Sequence, residues 1–95
     1  MNDERKRRAE FGDWQTPDEL AAAVCVKLIS LGIVPNVVIE PTCGVGAFVL
    51  AATAAFPNAK TIRGYEVNSA YLDKLKERLT EVGQTAHVQV YEADF

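Results

Sequence analysis

Two glycines and a glutamate within seven residues form the part of the sequence best suited to bind a ligand. The segment Glu40-Pro41-Thr42-Cys43-Gly44-Val45-Gly46 lies between a β-branched run and an alanine-rich run, which predict a strand and a helix. Glycine lets the backbone bend tightly and lets a ligand approach the main chain, and the helix N-terminus offers unpaired N–H groups. A plain turn would need neither two glycines nor an adjacent acid, so the loop predicts a site for a nucleotide-like cofactor.

A second acid stands at a position where it can bind a sugar. Glu66 ends the second predicted strand, 20 residues after Gly46. A carboxylate in this position accepts hydrogen bonds from the two hydroxyls of a ribose in dinucleotide-binding folds. Together with the glycine loop, Glu66 predicts a ligand that contains adenosine.

Two cofactor classes fit this geometry, and two residues favour one of them. A dinucleotide fingerprint requires a third small residue where this chain has Val49. An acid at the end of the first strand, Glu40, would repel the phosphates of NAD but suits the ammonium and sulfonium charges of S-adenosylmethionine. The residues therefore favour S-adenosylmethionine and leave NAD as the alternative.

The first predicted helix precedes the loop. Thr16 is expected to cap it, Pro17 to take its first position and Glu19 to complete a capping box. Apolar residues then recur at helical spacing and predict one buried stripe: Leu20, Val24, Leu28 and Leu31. Gly32 is placed to end this helix in the left-handed conformation.

Strands and helices alternate through the rest of the chain. The three predicted strands are Val37 to Ile39, Thr61 to Glu66 and Ala86 to Tyr91. The first lacks alternation, as expected of a strand covered on both faces. The two helices between them are predicted over Ala47 to Phe56 and, after a cap at Asn68 or Ser69, over a buried stripe of Leu72, Leu75, Leu79 and Val82.

This order predicts an α/β fold. Strands joined by helical segments of ten or more residues form parallel sheets with right-handed crossovers. We expect the N-terminal half of a Rossmann-like doubly wound sheet, with three strands and flanking helices, that stops before a fourth strand. Half of the crevice in which such a sheet binds its ligand would then be missing.

Composition excludes several other classes of protein. The chain has 95 residues, a net charge of -3 and 48% hydrophobic residues, and no apolar run long enough to cross a membrane. Cys25, Cys43 and His87 lack partners at metal-ligand spacing, so no metal site is expected. A charged N-terminus without a signal peptide predicts a cytoplasmic protein.

The N-terminus is expected to form a separate arm. Residues 1–13 have few apolar side chains and include the basic run Arg5-Lys6-Arg7-Arg8. This composition predicts a solvated segment that can also contact phosphate. Residues 14–95 are expected to form the partial cofactor-binding domain.

Four segments of the sequence resemble, in the same order, the motifs of a known protein family. They are Gly12-Asp13-Trp14-Gln15-Thr16-Pro17, then Glu40 to Phe48, Gly64-Tyr65-Glu66-Val67-Asn68 and Glu92-Ala93-Asp94-Phe95. They resemble motifs X, I, II and III of class I S-adenosylmethionine-dependent methyltransferases, in particular the gamma-class adenine-N6 DNA methyltransferases of restriction-modification systems. A motif X ahead of motif I distinguishes this class from others that share only the loop.

The resemblance assigns roles to these segments. Motif X packs near the methionine end of the cofactor, the motif II acid holds the ribose, and in motif III the acid meets the adenine amino group while the phenylalanine lies near the ring. The residues expected to bind S-adenosylmethionine are Gln15, Thr16, Pro17, Glu40, Pro41, Cys43, Gly44, Gly46, Phe48, Glu66, Val67, Asp94 and Phe95.

The same resemblance implies transfer of a methyl group from S-adenosylmethionine to the exocyclic N6 amine of adenine in DNA. This chain alone is expected to be inactive. The family's catalytic motif, Asn or Asp followed by Pro-Pro and an aromatic residue, holds a flipped-out adenine, and the sequence contains no Pro-Pro. No catalytic residue is named, and DNA is expected to be contacted by a missing C-terminal region of the parent protein. The alternatives are a non-catalytic truncated or vestigial cofactor-binding module, and a methyltransferase that acts on RNA, protein or a small molecule.

One structural consequence follows from the expected missing strand. The first strand would form an apolar edge of the sheet, and such edges are templates for association with other chains. We therefore expect self-association through this edge.

Overall fold

A computed structural model of the chain describes residues 15–83 and 85–95, and it contains three helices and three strands. In chain order they are α1 (Asp18–Ser30), β1 (Val37–Glu40), α2 (Ala47–Ala55), β2 (Thr61–Glu66), α3 (Ser69–Val82) and β3 (Val88–Glu92). The predicted charged arm at residues 1–13 and the start of the motif X segment lie outside the described residues.

The three strands form one parallel sheet in the order β1-β2-β3. Val37 pairs with Thr61 in the first ladder, and Ile62 pairs with Val88 in the second. Each pair of neighbouring strands is connected through a helix, as parallel strands require. The predicted α/β class, with three parallel strands and flanking helices, is confirmed.

The core lies between the helices and one face of this sheet. Its largest fully buried side chains are Val49 of α2, Ile62 of β2 and Leu75 of α3, and Cys25 of α1 belongs to the same cluster. Exposure alternates along β1, where Val37 and Ile39 are 49% and 45% exposed. The expectation that β1 is covered on both faces is therefore wrong within the described residues, because all three helices pack into one core on one side.

Helix α1 differs from its prediction at its start. It begins at Asp18, and Pro17 is the N-cap with an extended ψ of 141° and no side-chain cap hydrogen bond. The predicted capping box of Thr16 and Glu19 is wrong. The carbonyl of Pro17 accepts the first backbone hydrogen bonds of the helix, from the N–H groups of Leu20 and Ala21. Two acids in the first turn interact favourably with the positive end of the helix dipole.

The buried face of α1 also differs from the predicted stripe. Leu20 and Leu31 are 54% and 63% exposed, whereas Ala21 and Cys25 are buried and Leu28 packs against the core. Because α1 packs mainly on α2, small residues at the contact allow the two backbones to approach closely.

Other predicted boundaries are close to those observed. Gly32 has a φ of 81° and follows α1 in a Schellman arrangement, with the N–H of Gly32 bonded to Ile29 and that of Ile33 to Leu28. Helix α2 ends one residue before the predicted Phe56, and β3 begins two residues after the predicted Ala86. Val82, predicted in the stripe of α3, is exposed.

Neither a membrane-spanning helix nor a metal-binding cluster is found in the part of the chain that the structure describes. No helix among residues 15–83 and 85–95 combines the length and apolar character needed to cross a membrane. No group of three or more His, Cys, Asp or Glu side chains in the same ranges is arranged to hold a metal ion.

Candidate functional site

The candidate site lies at the carboxyl ends of β1 and β2. Glu40 is the last residue of β1 and Glu66 the last residue of β2, and the register pairs Glu40 with Gly64 on the neighbouring strand. Because the strands are parallel, both acids lie at the same edge of the sheet, where α/β folds bind ligands. The segment from Pro41 to Gly46, called the glycine loop below, leaves this edge and leads into α2.

The glycine loop is a tight turn that is fastened to β2. The N–H of Gly46 donates to the carbonyl of Cys43 at 2.8 Å, and the N–H of Cys43 donates to the carbonyl of Tyr65 at 2.9 Å. Gly44 and Gly46 have φ values of 53° and 99°. Both values lie in the left-handed region, which L side chains rarely adopt, so the turn requires glycine at both positions.

The directions in which side chains at these glycines would project are occupied by protein atoms. A Cβ on Gly44 would meet Oε1 of Gln15, and one on Gly46 would meet Cδ1 of Leu75. The sequence suggested that these glycines leave room for a ligand. In the structure, Gly46 is needed for packing against α3, and Gly44 for the close approach of Gln15.

Glu66 connects the glycine loop to the start of α3. Its Oε1 accepts the N–H of Gly44 at 2.9 Å, and its Oε2 accepts the N–H of Asn68 at 2.8 Å. The side chain is half-buried. Each carboxylate oxygen can accept a second hydrogen bond, so Glu66 keeps acceptor capacity for a ligand hydroxyl while it holds the loop.

The acids surround a buried thiol. The pKa of Cys43 is raised to about 11, first by burial and then by the nearby carboxylates of Glu66 and Glu40, while a backbone hydrogen bond at Cys43 acts in the opposite direction. Glu40 is half-buried and accepts the N–H of Thr42 at 3.2 Å. Cys43 is therefore a neutral packing residue of the loop, and its thiol is poorly suited to be a nucleophile.

In the described part of the motif X segment, Gln15 contacts the loop through its side chain. Oε1 of Gln15 accepts the N–H of Val45 at 3.1 Å. The structure therefore brings Gln15 together with the loop and, through Gly44, with Glu66. Thr16 is half-buried and Pro17 exposed at the start of α1.

The last residues of the chain lie beside β2. The N–H of Ala93 donates to the carbonyl of Glu66 at 3.1 Å, which carries Asp94 and Phe95 to the same sheet edge. The Phe95 ring packs against Tyr65 with centroids 5.1 Å apart, and Tyr65 also stacks on Tyr91 at 5.3 Å. Tyr65 alternates with buried Gly64, so this aromatic group occupies the sheet face opposite the helices.

The predicted site residues differ widely in exposure. Cys43, Gly44 and Gly46 are buried, whereas Gln15, Thr16, Glu40, Phe48 and Glu66 are half-buried. Pro17, Pro41, Val67, Asp94 and Phe95 are exposed. The structure clusters Gln15, Glu40, Cys43, Gly44, Gly46 and Glu66 around the loop, and it packs Phe95 against Tyr65.

A residue that contacts this cluster, Arg78, did not emerge from the sequence. Arg78 of α3 donates from Nη1 to the carbonyl of Val45 at 2.9 Å and from Nη2 to Oδ2 of Asp18 at 2.9 Å. Its partners are 33 and 60 residues away along the chain, so no local pattern indicates them. The only signal in the sequence is that Arg78 borders the stripe of Leu75 and Leu79.

A separate groove of about 420 Å³ lies among the three helices. It is lined by Asp18, Ala22, Ala47, Leu50, Ala51, Arg78, Glu81 and Val82. Neither Glu40 nor Glu66 lines it, so the groove is distinct from the site at the sheet edge.

Comparison with known proteins gives one close relative in sequence. No protein-family model matches the chain. The Type II methyltransferase M.NspV of Nostoc sp. (strain ATCC 29411 / PCC 7524) is 55% identical over 73 residues, which are 77% of this chain. Those residues span 15% of the length of that relative.

Solved structures share the fold. A candidate RNA methyltransferase from Pyrococcus horikoshii aligns with a TM-score of 0.70 and 27% identity, over 85% of this chain and 40% of that one. Coclaurine N-methyltransferase, bound to N-methylheliamine and SAH, aligns with a TM-score of 0.65 and 21% identity, over 86% of this chain and 24% of that one. At that identity the second likeness concerns the fold alone.

Proposed function

We propose, from the premise that this chain belongs to the class I S-adenosylmethionine-dependent methyltransferases, that it binds S-adenosylmethionine at the glycine loop. The observation that carries this proposal is the placement of Glu40 and Glu66 on adjacent parallel strands around one loop. In parallel α/β sheets, this edge is where adenosine-bearing cofactors bind.

The roles of the residues follow from their chemistry. Glu66 accepts hydrogen bonds from the ribose hydroxyls with the lone pairs that Gly44 and Asn68 leave free. Glu40 supplies negative charge for the ammonium or sulfonium group. Gln15, Thr16 and Pro17 border the methionine end, and Asp94 and Phe95 border the adenine.

For the whole protein we propose transfer of the methyl group to the N6 amine of adenine in DNA. The support is the 55% identity to a type II methyltransferase, together with the resemblance of four ordered segments to adenine-N6 enzymes. When bound, S-adenosylmethionine would supply the activated methyl group that the adenine amine accepts. Protein groups contribute mainly by aligning the two reactants.

RNA is the second candidate acceptor. The likeness to a candidate RNA methyltransferase at 27% identity favours it, whereas the higher identity to the type II relative favours DNA. Assays of the whole protein with tritiated cofactor and matched DNA and RNA substrates separate the two. Label in adenine of DNA supports the first proposal, and label confined to RNA contradicts it.

Calorimetry on this chain tests the cofactor directly. We expect S-adenosylmethionine to bind and NAD not to bind. Glu66→Ala should weaken binding by at least about tenfold, because it removes charge-assisted hydrogen bonds to the ribose. Glu77→Gln, on the exposed side of α3, is the matched control and should bind like the wild type. Binding of NAD alone would overturn the proposal.

A further inference from the structure

The backbone N–H and carbonyl of Val45 are both bound by side chains from other parts of the chain. Its N–H donates to Gln15 at 3.1 Å, and its carbonyl accepts from Arg78 at 2.9 Å. Val45 stands between Gly44 and Gly46, which are the residues with the greatest backbone freedom. The flanking glycines restrain this backbone little, so the two side chains add restraint to the turn hydrogen bond from Gly46 to Cys43.

The position of Val45 affects the candidate site through its neighbour. The N–H of Gly44 donates to Oε1 of Glu66, so the rotation of the loop backbone and the position of this carboxylate are linked. If the Val45 carbonyl is released, the peptide between Val45 and Gly46 keeps the hydrogen bond from its N–H to Cys43 but loses the one that holds its oxygen, which gives it more freedom to rotate. The hydrogen bond from Gly44 to Glu66 would then lose its alignment.

Arg78 also makes a contact whose role is structural. Nη2 binds Oδ2 of Asp18 at 2.9 Å, which joins α3 to the first turn of α1. The Asp18 side chain is 62% exposed, whereas that of Arg78 is 24% exposed. The inner bond to Val45 is therefore the better shielded of the two, and the ion pair to Asp18 is screened by water.

We propose that Arg78 is a positioning residue for the glycine loop, which it holds in the conformation that binds the cofactor. This inference rests on the proposed function, because the ligand of the loop is S-adenosylmethionine in both. Arg78 acts through Val45 and Gly44 on Glu66.

Variants of the two Arg78 contacts test the inference. Arg78→Gln removes both contacts, whereas Asp18→Asn removes the charge of the ion pair and leaves the bond to Val45. Lys74→Gln, an exposed change of charge on the same helix, is the control. We expect Arg78→Gln to weaken S-adenosylmethionine binding by about tenfold. Asp18→Asn should change the affinity for S-adenosylmethionine less than threefold. Arg78→Lys, which keeps a single positively charged donor group, should retain part of the affinity that Arg78→Gln loses.

Melting temperatures separate positioning from simple stabilisation. A purely structural role predicts that Arg78→Gln and Asp18→Asn lower the melting temperature and leave the affinity of the folded protein unchanged. That result, measured well below both melting temperatures, would overturn the inference.

The free protein supplies a readout that does not depend on the cofactor. We expect Arg78→Gln to shift the amide resonances of Gly44 and Gly46 and to speed their hydrogen exchange, while Lys74→Gln leaves them unchanged. If the wild type does not bind S-adenosylmethionine, the proposed function fails, whereas altered loop amides in Arg78→Gln would still support loop positioning. Unaltered loop amides would contradict it.

Discussion

At the scale of single residues, the candidate site combines negative charge with a backbone that only glycine can form. Glu40 accepts the N–H of Thr42 and Glu66 accepts the N–H of Gly44, so the two carboxylates bind the residues on either side of Cys43. The positive φ angles of Gly44 and Gly46 turn the chain between them. The same residues shape the turn and carry the charge of the candidate site, and substitutions here test both folding and the proposed ligand binding.

Gly46 and Gly32 provide a matched pair. Both have positive φ, but a Cβ on Gly46 would meet Leu75 whereas one on Gly32 meets nothing within 4 Å. Gly32→Ala should cost about 1 kcal/mol of unfolding free energy through backbone strain alone. Gly46→Ala should cost about 3 kcal/mol because overpacking adds to that strain. Urea unfolding measures both, and equal losses would contradict the predicted contact.

The buried thiol gives a dependence on pH. The pKa of Cys43 is about 11 in the folded chain, against an ordinary value of 9.0. Below pH 9 the thiol is protonated in both states and has no effect. Between pH 9 and about 11 the unfolded chain releases the proton and the folded chain retains it, so the free energy of unfolding should fall by up to about 2 to 3 kcal/mol.

Cys43→Ala isolates this effect from other groups that titrate at high pH. Urea unfolding at pH 8 and pH 10.5 should show a smaller loss of stability in the variant than in the wild type. Equal losses in the two proteins would show that Cys43 does not contribute.

At the scale of elements, helices α2 and α3 differ in how their N-termini are capped. Helix α3 begins with a side-chain cap, since Oδ1 of Asn68 accepts the N–H groups of Ala70 and Tyr71. Helix α2 follows Gly46 without a side-chain cap. An uncapped helix start beside the glycine loop leaves N–H groups for an anionic part of a ligand, such as a carboxylate.

The cap of α3 can be tested against its neighbour. Asn68→Ala should cost about 1 kcal/mol, because two backbone N–H groups lose their acceptor. Ser69→Ala should change stability by less than about 0.5 kcal/mol, since Ser69 is exposed and Asn68 is the cap. Thermal unfolding followed by circular dichroism measures both variants. A larger loss at Ser69 would reverse the assignment.

At the scale of the whole molecule, the described sheet has helices on one face and an apolar edge. Strand β1 stands at the end of the order β1-β2-β3, with Val37 and Ile39 exposed on the uncovered face. Val34 is 87% exposed just before this strand. Unpaired backbone groups next to apolar side chains favour association with further chains.

Charge on this strand should reduce association. We expect the chain to form oligomers at micromolar concentration and Ile39→Lys to shift it towards the monomer, because a lysine on an edge strand opposes pairing. Light scattering after size exclusion measures the mass, with Lys60→Gln as an exposed control outside β1. A wild type that stays monomeric at high concentration would contradict the expectation.

The sequence by itself determined the elements and the composition of the loop. Periodicity located three strands and three helices because the apolar pattern is local, and it correctly placed Leu72, Leu75 and Leu79 in the core. The sequence also predicted that Glu40 and Glu66, which end β1 and β2, lie close to Gly44 and Gly46. This followed because parallel strands bring their carboxyl ends to one edge of the sheet.

Only the tertiary structure decided which faces pack and which side chains meet. The stripe on α1 was misplaced because the small residues Ala21 and Cys25, rather than the larger Leu20, allow close contact with α2. Arg78 was missed because its contacts to Val45 and Asp18 join residues far apart in sequence. Spacing along a chain encodes local geometry, whereas contacts between elements depend on how the complete fold packs.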